Sequence, residues 1–172
     1  GDPFEDEMVD VALDGPDLDE SIITPRDLLV VEQPLAAPPN VDVVLEGLTN
    51  TENIGNVFRN ALAFGVAGVL LGPRSCDPLY RKAIRVSIGA TLRLAFAYID
   101  DWPEGLERLR AAGLTLVALT PETTAIDIAD LAIKHHQRVA LLLGTEGPGL
   151  SGAAKTRADV RVRIPLASGT DS

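Results

Sequence analysis

The sequence predicts an α/β fold: a mostly parallel sheet with helices on both faces. Three observations carry that expectation. Short runs of Val, Leu and Ile alternate with helical segments through residues 41–172, the pattern of parallel strands joined by crossover helices. Two of the runs, residues 114–119 and 138–143, are apolar at nearly every position, as strands buried on both faces require. A chain of 172 residues with 46% hydrophobic content is also long enough to bury the core of one such domain.

The elements follow in order. Residues 41–45, Val-Asp-Val-Val-Leu, predict a strand, and the polar stretch 49–53 a loop. Ile54, Val57, Phe58, Ala61 and Leu62 then recur at helical spacing, the apolar stripe of a helix. Gly65 lies near its end, where a residue tolerant of positive φ is commonly needed. Residues 69–71 predict a second strand, 79–88 a helix and 92–98 a short strand. A helix over 102–112, halted by Gly113, leads into the strand 114–119. Residues 126–132 predict a weak helix. The strand 138–143 is followed at once by the glycine-rich loop 144–149. A short helix from Ser151 and a strand over 160–164 complete the series. No internal repeat is visible.

The formal charge of −10 argues against a nucleic-acid partner until its distribution is considered. Residues 1–20 hold nine acidic residues and no basic one, leaving sixteen acids against fifteen bases elsewhere. The acidity is therefore that of a solvated leader, and the body is near neutral. The apolar run 28–31 and Pro34, Pro38 and Pro39 suggest a linker before the regular pattern begins. Gly1 opens an acidic stretch rather than a secretory leader. No apolar run approaches the ~20 residues of a membrane span. Cys76 is the sole cysteine and cannot form an internal disulfide. These features predict a cytoplasmic location with no membrane partner.

Ligands of open parallel sheets sit beyond the carboxyl ends of strands, and three post-strand loops here are rich in chemistry. The first, Asn50-Thr-Glu-Asn53, leads into a helix bearing Arg59 and Asn60. The second runs Gly144-Thr-Glu-Gly-Pro-Gly-Leu-Ser151, and the third Ile164-Pro-Leu-Ala-Ser-Gly-Thr-Asp-Ser172. Each has a plainer explanation. Asn53 can cap its helix, Arg59 can be a solvated helix arginine, and the glycines can serve a turn. Those glycines match neither G-x-G-x-x-G nor G-x-x-x-x-G-K-[ST], so dinucleotide and P-loop sites lose their support. His135 and His136 are adjacent and would point to opposite faces of a strand, against a shared metal. No G-x-S-x-G elbow supports a serine nucleophile.

Taken together, the three loops resemble the signature motifs of the SpoU (TrmH-like) branch of the SPOUT RNA methyltransferases. Motif one is Asn53-Ile-Gly-Asn-Val-Phe-Arg59-Asn60-Ala61, followed by Ala63-Phe64-Gly65-Val66. Motif two is Leu142-Leu143-Gly144-Thr-Glu146-Gly147-Pro-Gly149-Leu150-Ser151. Motif three is Val162-Arg-Ile164-Pro165-Leu166, followed by Gly169-Thr-Asp-Ser172. Between motifs one and two, Asp77-Pro-Leu-Tyr80-Arg81-Lys82 and Arg85-Val-Ser87-Ile-Gly89 are also similar to the family. The resemblance spans residues 41–172.

The resemblance implies S-adenosylmethionine-dependent methylation of a ribose 2′-hydroxyl in rRNA or tRNA, rRNA slightly preferred, by a homodimer without a metal. It also implies a deep C-terminal trefoil knot. By the same resemblance Arg59, Asn53, Glu146 and Ser172 are the catalytic residues. Leu119, Thr120, Gly144, Gly149, Ile164 and Leu166 bind the cofactor, and Arg59 with Arg81, Lys82 and Arg85 meets the RNA. Arg74 and Arg93 add to the basic surface. The family continues past motif three with Leu-Asn-Val and a helix at the dimer interface, so the pattern ends here without them. Residues 1–40 then comprise the acidic leader, a remnant of a small RNA-binding domain at 28–31, and a linker. A second function class remains beside the enzyme: a catalytically silent RNA-binding or ribosome-assembly protein retaining the fold.

Overall fold

The computed structural model describes residues 41–133 and 137–166. Seven strands form one sheet: β1 (Val41–Leu45), β2 (Gly68–Leu71), β3 (Phe96–Tyr98), β4 (Leu114–Leu119), β5 (Ile126–Asp127), β6 (Arg138–Leu143) and β7 (Val160–Arg163). Their order is β3-β2-β1-β6-β4-β7-β5, and every pairing is parallel. The helices are α1 (Thr51–Ala63), α2 (Arg81–Val86), α3 (Gly105–Ala111) and α4 (Gly152–Arg157). β6 is inserted between β1 and β4, and β7 between β4 and β5. The carboxyl ends of β1, β6, β4 and β7 therefore stand side by side, and the three motif loops leave from that one edge.

Side-chain alternation along the strands assigns the two helical layers. Val43, Leu45, Val69 and Leu71 pack with Ile54, Phe58 and Ala61 of α1 and Ala83 of α2. Val44, Leu70, Leu116, Ala118, Ala140 and Leu142 pack with Leu106 and Leu109 of α3 and Ala154 of α4. Helices thus cover both faces, as the sequence predicts. Gly55 lets α1 and α2 touch: a Cβ there would lie 2.9 Å from the Ala83 carbonyl oxygen and 2.9 Å from Val86 Cβ. α1 ends in a Schellman turn, with Val66 N–H on Ala61 O, Gly65 N–H on Leu62 O and Gly65 at φ +70.

Several boundaries differ from the sequence expectation. Residues 126–132 are no helix: β-branched Ile126 pairs with Val162 of β7. Asp127 then caps a single 3₁₀ turn (Ile128–Asp130) by accepting from Ala129 N–H at 2.9 Å, the local competition that keeps aspartate from helix interiors. The 92–98 strand shrinks to Phe96–Tyr98 behind a 3₁₀ turn at Ala90–Leu92. The 79–88 helix shortens to Arg81–Val86, because Ile88 and Gly89 adopt positive φ of 53 and 75. The 102–112 helix starts only at Gly105, after Pro103. No helix among the described residues is long and apolar enough to cross a membrane.

Candidate active site

A cavity of about 360 Å³ opens at the carboxyl edge of β4, β6 and β7. Leu119, Thr120 and Pro121 form one wall, the loop from Leu143 to Gly149 another, and Ile164 and Leu166 a third. All six residues singled out for the cofactor, Leu119, Thr120, Gly144, Gly149, Ile164 and Leu166, line it. Ile164 and Leu166 remain half exposed at the rim.

The shape of the loop requires its glycines. A Cβ on Gly144 would fall 2.1 Å from the Gly149 carbonyl carbon and 2.2 Å from Leu150 N, so only glycine lets the loop close on its own start. Gly147 and Gly149 take φ of +79 and +68, a region in which a side chain is strained. Gly149 N–H donates to Thr145 O at 3.0 Å and closes the turn. Ser151 then caps α4, its Oγ accepting from Ala154 N–H at 3.2 Å.

Motif one reaches this loop through a side-chain contact. Asn53 Nδ2 donates to Glu146 Oε1 at 2.7 Å. The helix cap belongs instead to Asn50, which accepts from Glu52 N–H at 2.8 Å and so leaves Asn53 free to reach across. Arg59, two turns further along α1, is exposed and makes no ion pair among the described residues. Lys82 of α2 is paired with Glu52 at 2.8 Å, and that contact holds the Glu52 carboxyl below its usual range. Arg81, Lys82 and Arg85 share one wide surface concavity with Val86, so the structure gathers three of the four basic residues expected to meet RNA, and Arg59 is not in its lining. Ser172, His135 and His136 lie outside the described residues.

Two features of the site escaped sequence reasoning. Glu46, directly after β1, is buried at 3% exposure. It accepts from Trp102 Nε1 and from Ser151 N–H, each at 2.8 Å. The available signal was an acid closing an apolar strand at the ligand edge of the sheet. The second feature is Glu122, next to Pro121, which binds Lys155 of α4 at 2.6 Å and Arg161 of β7 at 3.6 Å. The Lys155 contact is the main cause of its lowered carboxyl pKa.

The walls suit a particular kind of ligand. Leu119, Ile164 and Leu166 offer apolar surface to a flat ring, glycine backbone admits close approach, and Glu146 sets a carboxylate at one side. A molecule with an aromatic base and a cationic centre fits that set, and the volume falls in the small-ligand range. No group of three metal-ligating side chains is present among the described residues.

The family model of the SpoU rRNA methylases matches residues 40–172. The chain belongs to the SpoU rRNA methylase family. A tRNA/rRNA methyltransferase of Mycobacterium bovis, described as uncharacterized, is 48% identical to this SpoU-family chain over 130 residues, covering 75% of the chain and 45% of that relative. The chain thus spans about half the length of the relative. An rRNA methyltransferase of Sinorhizobium meliloti, solved with S-adenosylmethionine bound, superposes with a TM-score of 0.74 at 27% identity, over 87% of this chain and 54% of that one. An RNA 2′-O ribose methyltransferase superposes at 0.69 with 30% identity, over 83% and 53%. The fold found here is therefore that of a SPOUT methyltransferase.

Proposed function

We propose that this SpoU-family chain is the catalytic domain of an S-adenosylmethionine-dependent RNA methyltransferase that modifies a ribose 2′-hydroxyl in rRNA or tRNA. One observation carries the proposal: the loops of motifs two and three line a single cavity with residues 119–121, and the motif-one helix that bears Arg59 is tied to that cavity's wall by the Asn53–Glu146 bond. The 2′-O specificity draws further support from the similarity to a solved RNA 2′-O ribose methyltransferase. The insertion of β6 and β7 between earlier strands suits the trefoil knot of the SPOUT fold, and a homodimer is part of the same proposal.

When bound, S-adenosylmethionine supplies an activated methyl group on a sulfonium, which leaves the protein two tasks: to align the hydroxyl and to stabilise its charge as it loses a proton. Leu119, Ile164 and Leu166 would flank the adenine. Gly144 and Gly149, lacking side chains, would admit the rest of the molecule against backbone. Arg59 is assigned to the RNA. A guanidinium stays protonated and makes a poor base. It is suited to a two-pronged grip on the phosphate beside the target ribose, from which its charge also favours the developing alkoxide. Asn53 acts by holding Glu146 and hence the loop, and Ser172 is assigned to the motif-three loop. Arg81, Lys82 and Arg85 extend the phosphate-binding surface. Cytoplasmic RNA is the proposed partner.

Ribose-methylation mapping of total RNA from cells with and without the gene tests this reading. The expected result is the loss of one or a few 2′-O-methyl positions in rRNA or tRNA. An unchanged map, together with RNA binding by the purified protein, would favour the catalytically silent alternative.

A further inference from the structure

Glu46 takes no part in the chemistry above, yet it is a buried carboxylate, an expensive group to keep from water unless its hydrogen bonds are complete. They are complete in a specific way. Oε1 accepts from the Trp102 indole and Oε2 from Ser151 N–H, both at 2.8 Å. The Glu46 N–H donates to Leu143 O at 2.9 Å, where β6 passes into the glycine loop. One residue therefore touches both ends of the segment that forms a wall of the cavity: Leu143 before it and Ser151 after it. Trp102 cannot readily turn away, because its ring packs on Gly72, where a Cβ would lie 3.0 Å from Cζ3.

Glu46 also belongs to the other half of the site. Only four residues separate it from Thr51, the first residue of α1, whose start is fixed by the Asn50 cap. Asn53 and Arg59 ride on that helix. The glycine loop is thus tied to the α1 segment twice, at Glu146 by Asn53 and at Ser151 by Glu46. The two ties differ in kind. The Asn53–Glu146 bond faces water, where solvent competes, whereas the Glu46 bonds are partly buried and face less of that competition.

We propose that Glu46 is a positioning residue for methyl transfer: by bridging Trp102 and Ser151 it sets the glycine loop that holds the cofactor at a fixed separation from Arg59. The inference rests on the reading of the cavity as the S-adenosylmethionine site. It predicts that loosening Glu46 slows transfer more than it weakens either ligand. Trp102, the sole tryptophan of the chain, reports the contact by its fluorescence.

The test is Glu46→Gln in the intact protein. The side chain keeps its shape, but its NH₂ must face one of two donors, so one bond is lost in either orientation. Four quantities are measured: S-adenosylmethionine affinity by calorimetry, kcat and KM for RNA, Trp102 emission, and hydrogen exchange of the Ser151 amide in the cofactor-free protein. The expected result is a kcat about tenfold lower or more, with KM for RNA unchanged. Ser151 exchange should be faster, and the response of Trp102 emission to the cofactor should be lost.

A folded variant with the original kcat and Ser151 exchange overturns the proposal and leaves Glu46 a packing residue. Should Glu46→Gln fail to fold, Ser151→Pro is compared with Ser151→Ala. Ser151 has φ −60, which proline accepts, so the pair differs in the N–H offered to Glu46 and in the ring carbon that takes its place, both of which break the tie. A kcat about tenfold lower for Ser151→Pro is expected, and equal values overturn the proposal. Absence of S-adenosylmethionine binding by the unaltered protein contradicts the functional reading itself and takes this inference with it. Normal binding with an indifferent Glu46 contradicts the inference alone.

Discussion

The glycine loop after β6 and the arginine-bearing face of α1 and α2 stand at the same edge of the sheet, yet they are built in opposite ways. The loop is made of backbone: Gly144, Gly147 and Gly149 shape it, Glu46 fastens its end, and Glu122 fastens α4 behind it through Lys155. The basic face is made of long side chains on short helices, exposed to solvent. Arg59, Arg81 and Arg85 make no ion pair among the described residues, and Lys82 makes one that water can reach. The difference suits the two ligands assigned to them. A small cofactor is gripped by a preformed concave surface, where a displaced backbone atom matters. A polyanion is met by charges held ready, where affinity grows with the number of phosphates neutralised.

That contrast can be broken at several points. The largest effect is expected at Arg59. Arg59→Ala should lower methyl transfer by about 10²- to 10³-fold, the usual cost of removing a group that stabilises developing charge, as read in a single-turnover assay. Gly144→Ala comes next. Its methyl group would overlap the backbone at Gly149 and Leu150, so S-adenosylmethionine affinity should fall by about a hundredfold. Calorimetry checks this, with circular dichroism to show that the sheet survives.

Reversing charge at Arg81 and Lys82 should leave cofactor affinity alone and weaken RNA binding. The slope of log affinity against log salt should shrink by about 1 to 2. An unchanged slope would remove α2 from the RNA surface. The smallest effect concerns pH. Because Lys155 lowers the Glu122 pKa, the ionised pair stabilises the fold at neutral pH. That contribution is intact above the ordinary glutamate value of about 4.3 and disappears as the pH falls through the lowered native value. Melting curves of Glu122→Gln and the unaltered protein should therefore differ slightly at pH 7 and converge as the pH falls below that lowered value.

Much of this architecture was legible in the sequence, and the exceptions have physical causes. The strands Leu114–Leu119 and Arg138–Leu143 lie where their apolar runs predict them, because a strand buried on both faces leaves a continuous signal. The cavity wall was legible through the resemblance, whose motifs two and three are contiguous post-strand loops. The choice between Asn50 and Asn53 as helix cap was not, since both asparagines suit that role and only the placement of Glu146 decides between them. Glu46 was invisible for the same reason. Its partners are 56 and 105 residues away in sequence, and no local pattern encodes contacts of that range. At β5, one strand pairing outweighed a weak helical period.

The central claim is the division of labour at this edge: backbone and the Glu46 tie hold the cofactor, and Arg59 acts on the RNA alone. Calorimetric titration of Arg59→Ala with S-adenosylmethionine tests it most directly. The account predicts an affinity within about twofold of the unaltered protein's, roughly 0.4 kcal/mol, in a variant whose methyl transfer has fallen by about 10²- to 10³-fold. An affinity that falls in step with activity would place Arg59 in the cofactor site and contradict the account.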